Sequence, residues 1–182
     1  HAHKDTFYVA SNHEAPRWRL FAVNPKKLAR KSWKEIVPEQ EKEVLDGVEF
    51  VGGRLSLKYL KNAATQLRLH ELDGKKVQDV ALPGLGVASN LVGNEDGDTA
   101  FFSFASFSTP TEIHEVSVAT GAVKLHFRAK LPFKPEDYEV EQVFYPSKDG
   151  TQVSMFIVRK KGFERKNRPT YMFGYGGFNI SL

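Results

Sequence analysis

Apolar and polar residues alternate along much of the chain, and this alternation is the pattern of half-buried β-strands. One clear example lies near residue 57, where Leu55, Leu57 and Tyr59 fall on one face and Ser56 and Lys58 on the other. Segments with helical periodicity are nearly absent. The pattern therefore predicts a mainly β protein.

Three stretches of the chain repeat one layout: a strand, a short polar loop, a second strand, a turn and a third strand. The paired segments are Thr6–Asn12 with Arg17–Val23, Arg54–Leu60 with Thr65–Leu72, and Thr99–Phe104 with Thr111–Val118. The last apolar residues before the turns are Val23, Leu72 and Val118, at spacings of 49 and 46 residues. A four-stranded unit that recurs every ~40–50 residues is typical of a β-propeller blade.

This repeat predicts about three propeller blades. Closed propellers have about 4–8 blades. Three alone would leave long strand edges open, which folded proteins avoid. We therefore expect further blades before residue 1. The Asp73-Gly74 pair supplies the positive φ that the tight turn of the second unit requires.

The repeat ends near residue 129, and a different pattern follows. Lys130–Pro135 contains two prolines and is typical of a linker, because proline interrupts a central strand. Glu139–Pro146 and Gln152–Arg159 predict a β-hairpin around a turn at Ser147–Gly150. Pro169–Tyr175 predicts a third, more apolar strand suited to burial. The sequence thus predicts two domains, residues 1–129 and residues 130–182.

Composition and charge narrow the range of functions. The 182 residues carry a formal net charge of +4 and no cysteine. The absence of cysteine excludes disulfides, cysteine-based zinc sites and a thiolate nucleophile.

The charged run Glu39–Glu43 is expected to be solvated in front of a strand. Six of the ten residues in Arg159–Arg168 are basic, which fits either a nucleic-acid patch or, as we favour, a solvated loop between two strands. No apolar run approaches the roughly 20 residues that cross a bilayer.

Motifs for catalysis or metal binding are missing from the sequence. None of the eleven serines has glycine both two positions before and two after it, so the chain has no nucleophile elbow. Each of His13, His70 and His114 is followed by glutamate, but no second histidine completes a zinc motif. We interpret His70 and His114 as ordinary strand residues on a polar face. His1 and His3 could chelate weakly, although a frayed terminus explains them better.

The last third of the chain resembles a known enzyme family. Val143–Thr151, Met155–Val158 and Phe173–Ser181 are similar to the opening strands of the prolyl oligopeptidase catalytic domain. Two upstream segments, Ala10–Pro16 and Ser106–Pro110, agree with the family's propeller. Ser154 stands where family members commonly have proline. The related oligopeptidases that prefer basic residues usually lack the Gly-Gly-Phe-Asn run.

The resemblance implies a fold and a reaction. The family joins a seven-bladed β-propeller, of which residues 1–129 would be the C-terminal blades, to an α/β-hydrolase domain that residues 130–182 would begin. It uses a Ser-Asp-His triad to cleave short peptides after proline. Tyr175 matches the tyrosine whose hydroxyl completes the oxyanion hole, and Phe178 matches an aromatic residue that holds the proline ring. The triad itself is expected beyond Leu182, so the segment alone is expected to be inactive.

The expected partners are short proline-containing peptides and the rest of the same polypeptide. No cofactor, metal, nucleic acid or membrane is expected, and the complete protein is expected to be a monomer. The expected location is the cytoplasm, or the periplasm if a signal peptide precedes the chain. Two alternatives stay open, namely a non-catalytic propeller that binds partners and a related oligopeptidase of different specificity.

Overall fold

The computed structural model describes residues 1–164, 166–175 and 177–178. The chain divides into two compact units, of which the first comprises His1–Ser106 with Pro110–Ala129 and the second Phe107–Thr109 with Lys130–Leu182. Nearly all regular structure is β, and the described residues add only two short 3₁₀ turns, Arg30–Ser32 and Pro135–Asp137.

The first unit consists of three antiparallel sheets, each built from consecutive strands. Sheet one contains β1 Ala2–His3, β2 Thr6–Ser11, β3 Arg19–Val23 and β4 Lys34–Val37. Sheet two contains β5 Val44–Val51, β6 Arg54–Lys61, β7 Ala64–His70 and β8 Lys76–Val80. In sheet three, β9 Val87–Ala88 and β10 Val92–Gly93 both pair with β11 Thr99–Ala105, followed by β12 Glu112–Ser117 and β13 Val123–Arg128. The prediction of about three propeller blades is confirmed.

Apolar side chains of adjacent sheets pack face to face. One cluster joins Tyr8 and Leu20 of sheet one to Leu57 and Tyr59 of sheet two. A second cluster joins Leu69 and its neighbours in sheet two to apolar residues of sheet three. Sheet two is therefore buried on both faces, whereas each outer sheet has a described neighbour on one face only.

Polar groups also tie sheet two to sheet three. The backbone N–H of Gly52 donates to the carbonyl of Asn94 over 3.0 Å, and the Arg54 guanidinium donates to the carbonyl of Val118 over 2.9 Å. Both acceptors lie in loops of sheet three, where strand ladders leave carbonyls without partners. These two hydrogen bonds therefore add polar links to the apolar contact between the two sheets.

The Gly74 turn of sheet two touches sheet one. Gly74 has φ of +92°, and a Cβ at this position would lie 1.9 Å from the carbonyl oxygen of Ile36. The turn predicted at Asp73-Gly74 is present, and glycine is needed both for its dihedral angle and for this close approach.

We expect Gly74→Ala to lower the free energy of unfolding by more than about 2 kcal/mol, because backbone strain of roughly 1–2 kcal/mol adds to the clash with Ile36. Gly53→Ala is the matched control, since Gly53 has φ of +71° but no atom within 4 Å of its Cβ position. Urea unfolding of both variants measures the difference. Equal losses would show that the contact between the sheets contributes nothing.

Glu43 corrects the expectation that the run Glu39–Glu43 is solvated. Its side chain is buried and lies 2.6 Å from a guanidinium nitrogen of Arg68 in β7. The same guanidinium stacks on the ring of Tyr59, 4.6 Å from the ring centroid. Burial raises the pKa of Tyr59 to about 12 despite the nearby cation. The carboxylate is buried because Arg68 neutralises it, as a buried charge requires.

His70 and His114 are strand residues, as interpreted from the sequence, and both are buried. The Nδ1–H of His70 donates to the carbonyl of Gly74 over 2.8 Å. His114 stacks on Phe102, with centroids 5.2 Å apart, and donates from Nε2 to Glu112 over 3.0 Å. Both faces of a propeller blade are covered by neighbouring blades, so alternation along a strand does not mark an exposed face here.

His70 predicts a loss of stability in mild acid. Burial lowers its pKa from the ordinary value of 6.5, and the nearby cations Arg68 and Lys76 lower it further, while the Gly74 carbonyl and Asp79 oppose them. The unfolded chain therefore binds this proton more readily, so stability is full above pH ~6.5 and falls as the pH decreases from there to the folded-state pKa.

The expected cost is at most about 1.4 kcal/mol per pH unit within that window. His70→Asn keeps a donor for the Gly74 carbonyl but removes the titrating group. Urea unfolding at pH 7.5 and pH 5.5 should show a smaller pH dependence in this variant than in the unchanged protein. Identical pH dependence in the two proteins would rule out His70 as a source.

The second unit contains one hairpin, β14 Tyr138–Pro146 paired with β15 Gln152–Lys160. Arg159 of β15 contacts Glu139 over 2.5 Å and Glu141 over 3.4 Å. The hairpin prediction is confirmed, with a turn that ends at Gly150, which has a φ of +85°.

The predicted strand Pro169–Tyr175 is wrong in this structure. These residues have no regular secondary structure, and Tyr171, Met172 and Phe173 are exposed. A strand requires a neighbour for its backbone N–H and C=O groups, and no described strand lies beside this segment. Its apolar side chains have nothing to pack against for the same reason.

Candidate functional site

Tyr175 lies on the irregular segment that follows β15 in the second unit. Its side chain is 51% exposed. A Cβ placed on Gly177 would lie 3.1 Å from the Tyr175 hydroxyl oxygen, so the tyrosine side chain folds back over this glycine. Glycine at 177 therefore makes room for the hydroxyl, which lies at the surface where an incoming group could reach it.

Phe178 follows two residues beyond Gly176 and is 92% exposed. Its φ of +55° is in the left-handed region, which is uncommon for a residue other than glycine. Conformations of this kind concentrate at functional sites. No described ring stacks on Phe178, so the structure brings Tyr175 and Phe178 onto one short segment without forming a pocket around either. The neighbouring Asn179–Ser181, which belong to the motif, lie outside the described residues.

The described residues of this chain do not assemble the catalytic geometry of a serine peptidase. The sequence lacks a nucleophile elbow. Among the described residues, no group of three or more His, Cys, Asp and Glu side chains could hold a metal ion. What Tyr175 offers chemically is one exposed hydrogen-bond donor, which can stabilise negative charge on an oxygen but cannot attack a carbonyl.

A buried polar cluster in sheet three is the nearest approach to a catalytic arrangement. The Glu112 carboxylate is 1% exposed and accepts hydrogen bonds from His114 over 3.0 Å and from Arg128 over 2.5 Å. His114 of this cluster stacks on Phe102, which belongs to the apolar cluster between sheets two and three. We interpret it as a neutralised structural cluster that the sequence did not reveal, because Glu112 and Arg128 lie on different strands.

The basic segment begins at the end of β15, and its described residues beyond that strand, 161–164 and 166–168, are exposed. No described strand follows them, so the expected loop between two strands is not seen in the described residues. Arg159 is paired with glutamates of β14. Arg168 stacks on Phe163 with its guanidinium carbon 5.0 Å from the ring centroid.

The described part of the chain contains no helix long and apolar enough to cross a membrane.

Comparison with known proteins extends over the whole chain. Residues 1–128 match the family model described as the N-terminal β-propeller domain of prolyl oligopeptidase. A prolyl endopeptidase of Elizabethkingia meningoseptica is 36% identical over 98% of this chain and 25% of its own length. A prolyl endopeptidase of Dictyostelium discoideum is 34% identical over 96% of this chain and 24% of its own length.

Solved structures agree with these relatives. A structure from a study of two prolyl endopeptidases is 53% identical, with a TM-score of 0.90, and covers 100% of this chain and 27% of that protein. Prolyl oligopeptidase B of Galerina marginata is 25% identical over 90% of this chain and 24% of that protein, with a TM-score of 0.78. The chain thus spans about a quarter of the length of the relatives it matches. It belongs to the prolyl oligopeptidase family, and its first 128 residues are part of the N-terminal β-propeller domain.

Proposed function

We propose that this chain is part of a serine endopeptidase that hydrolyses short peptides on the carboxyl side of proline. The observation that carries the proposal is that the resemblance continues past the propeller. The match to the structure from the study of two prolyl endopeptidases covers the whole chain at 53% identity, including the Tyr175–Phe178 segment. A propeller that only binds partners has no need of this second unit.

In this proposal, residues 130–182 are a linker and the first strands of an α/β-hydrolase domain, and residues 1–129 are blades of the propeller. The division of the chain near residue 130 supports that assignment. The complete propeller would admit short peptides to the catalytic domain and keep folded proteins out. The Ser-Asp-His triad would come from residues that this chain does not contain.

Tyr175 is proposed to donate its hydroxyl to the oxyanion that forms when the peptide carbonyl is attacked. Its exposed hydroxyl beside Gly177 supports this role, because a donor of this kind has to face open space that a substrate can enter. The charge develops only in the transition state, so the interaction lowers the barrier more than it strengthens substrate binding.

Phe178 is proposed to form one wall of the pocket for the proline ring of the substrate. A flat apolar ring suits a pyrrolidine, which offers no polar group for recognition. The 92% exposure of the side chain supports this role, since the ring is available to a substrate or to further walls of the pocket. The complete protein is proposed to act as a monomer, without a metal or organic cofactor, in the cytoplasm, where the absence of cysteine is unremarkable.

Hydrolysis of a Gly-Pro reporter substrate tests the proposal. The complete polypeptide that carries this chain should release the reporter, and a serine-directed organophosphate should abolish the release. The 182-residue chain alone should be inactive, because it lacks the nucleophile elbow that would carry a catalytic serine. An inactive complete polypeptide would favour the non-catalytic propeller, and organophosphate-sensitive turnover by the 182 residues would refute the assignment of the triad to another part of the protein.

A further inference from the structure

The connection between β3 and β4 carries an unusual charge. Residues 26–34, which we call the basic loop, comprise most of this connection and the first residue of β4, and they contain five cations and no acid. The cations are Lys26, Lys27, Arg30, Lys31 and Lys34, and all five are exposed. The loop's charge of +5 exceeds the +4 of the whole chain.

Hydrogen bonds and ring stacking order the basic loop. Asn24 lies just before the loop, and its side-chain oxygen accepts a hydrogen bond from the backbone N–H of Lys26 over 2.8 Å. The indole N–H of Trp33 donates to the carbonyl of Leu28 over 3.0 Å, and the Arg30 guanidinium lies 5.0 Å from the centroid of the Trp33 ring. These contacts close the loop on itself, so the lysines are presented on a fixed backbone.

The described residues of this chain do not neutralise the positive charge of the loop. Within the described part of the chain, none of its five cations forms an ion pair with a carboxylate. The nearest acid in sequence, Glu35, is paired with Arg19 over 3.0 Å. Other cations of the chain do form ion pairs with carboxylates, for example Arg68 with Glu43 and Lys58 with Asp46. The basic loop is therefore available to an external anion.

Leu28 adds an apolar element at the centre of the loop. Its side chain is 60% exposed, with lysines before and after it in sequence. A basic surface with an apolar tip is typical of segments that lie at a membrane interface, where lysines contact anionic headgroups and the apolar side chain enters the headgroup layer.

We propose that the basic loop docks on an anionic phospholipid surface, with the four lysines on the headgroups and Leu28 in the interface. Nucleic acid fits less well, because the one aromatic ring of the loop is stacked under Arg30 and offers no open platform for a base. An acidic protein would leave Leu28 without a function. This proposal departs from the expectation that no membrane is involved, which rested on the absence of a segment long enough to cross a bilayer. The basic loop would lie on the membrane surface without crossing it.

Vesicle sedimentation tests the docking. The complete protein is mixed with phosphatidylcholine vesicles that contain phosphatidylserine, and in parallel with phosphatidylcholine alone, in low salt. The protein should bind only the anionic vesicles, and binding should fall steeply with salt. Each lysine at such a surface contributes about a fivefold gain in partitioning, so joint replacement of Lys26, Lys27, Lys31 and Lys34 by glutamine should lower binding by roughly 100-fold or more.

A second quadruple variant is the control. Replacement of Lys160, Lys161, Lys166 and Arg168 by glutamine removes the same charge from the other unit and should leave most of the binding. Leu28→Ser should weaken binding by about tenfold without a change in charge. All three variants change exposed side chains, and circular dichroism checks their folding.

Three results would overturn the proposal: no binding of the unchanged protein to anionic vesicles, equal losses in the two quadruple variants, or binding unaffected by Leu28→Ser. Binding to duplex DNA or to a polyglutamate peptide but not to vesicles would likewise overturn it and identify a different partner.

Discussion

If the complete protein has the proposed peptidase activity, Tyr175→Phe should lower its kcat by about 10²–10³-fold, the effect of removing one oxyanion-hole donor. KM should change little, because the hydroxyl interacts with charge that exists only in the transition state. The measurement is steady-state hydrolysis of the Gly-Pro reporter by the two proteins. The exposed hydroxyl and its position over Gly177 are the features from which the effect is expected.

Tyr171→Phe is the matched control, since Tyr171 lies on the same irregular segment and is 89% exposed. Its loss of a hydroxyl should leave kcat and KM unchanged. An unaltered kcat in Tyr175→Phe would contradict the oxyanion assignment. A raised KM with unchanged kcat would place Tyr175 in substrate binding instead.

Phe102→Ala should lower the free energy of unfolding by about 3–5 kcal/mol, because the cavity and the lost burial both count against the folded state. Phe102 is 1% exposed, belongs to the cluster between sheets two and three, and stacks on His114 with an interplanar angle of 16°. The alanine variant would leave that imidazole beside a void. Urea unfolding of the complete protein measures the loss.

Phe127→Ala is the control for this second prediction. Phe127 lies on β13 of the same sheet but is 58% exposed, so its removal should cost less than about 1 kcal/mol. Similar losses of stability at the two positions would mean that Phe102 is no more buried than Phe127, and hence that sheet three does not pack its Phe102 face against sheet two. That result would contradict the stacking of the blades.

The blade structure could be predicted from sequence because it depends on local signals. Alternation of apolar residues located β6, and the spacing of the turns located the repeat. The predicted burial of Leu55, Leu57 and Tyr59 is confirmed. The prediction failed for Ser56, which is also buried, because period-2 alternation assumes one wet face and the middle sheet has none.

Other features depend on residues far apart in sequence, and no local pattern could reveal them. Glu43 looked solvated within its charged run, yet it is buried because Arg68 lies beside it on another strand. The apolar strand expected at residues 169–175 had the right composition, but composition does not supply a neighbouring strand. The sequence does not reveal the basic loop, because its significance lies in its ordered backbone and in the lack of ion-pair partners among the described residues.

The candidate site was located by motif rather than by physical reasoning. Tyr175 alone would be interpreted as a packing residue, and Phe178 alone as core. The structure shows the opposite for both, since each side chain is largely exposed on a short irregular segment. Their proposed roles still depend on groups from other parts of the protein, which is why neither the sequence nor the fold of this chain forms a complete site.

A substrate panel tests most directly whether this chain is part of a proline-specific peptidase, as proposed. The complete protein is assayed with three reporters that differ only in the residue before the scissile bond, namely proline, alanine and arginine. The kcat/KM for the proline reporter should exceed that for either other reporter by about 100-fold, a discrimination within the range that a fitted apolar pocket supplies. A preference for arginine, or equal hydrolysis of all three, would contradict it.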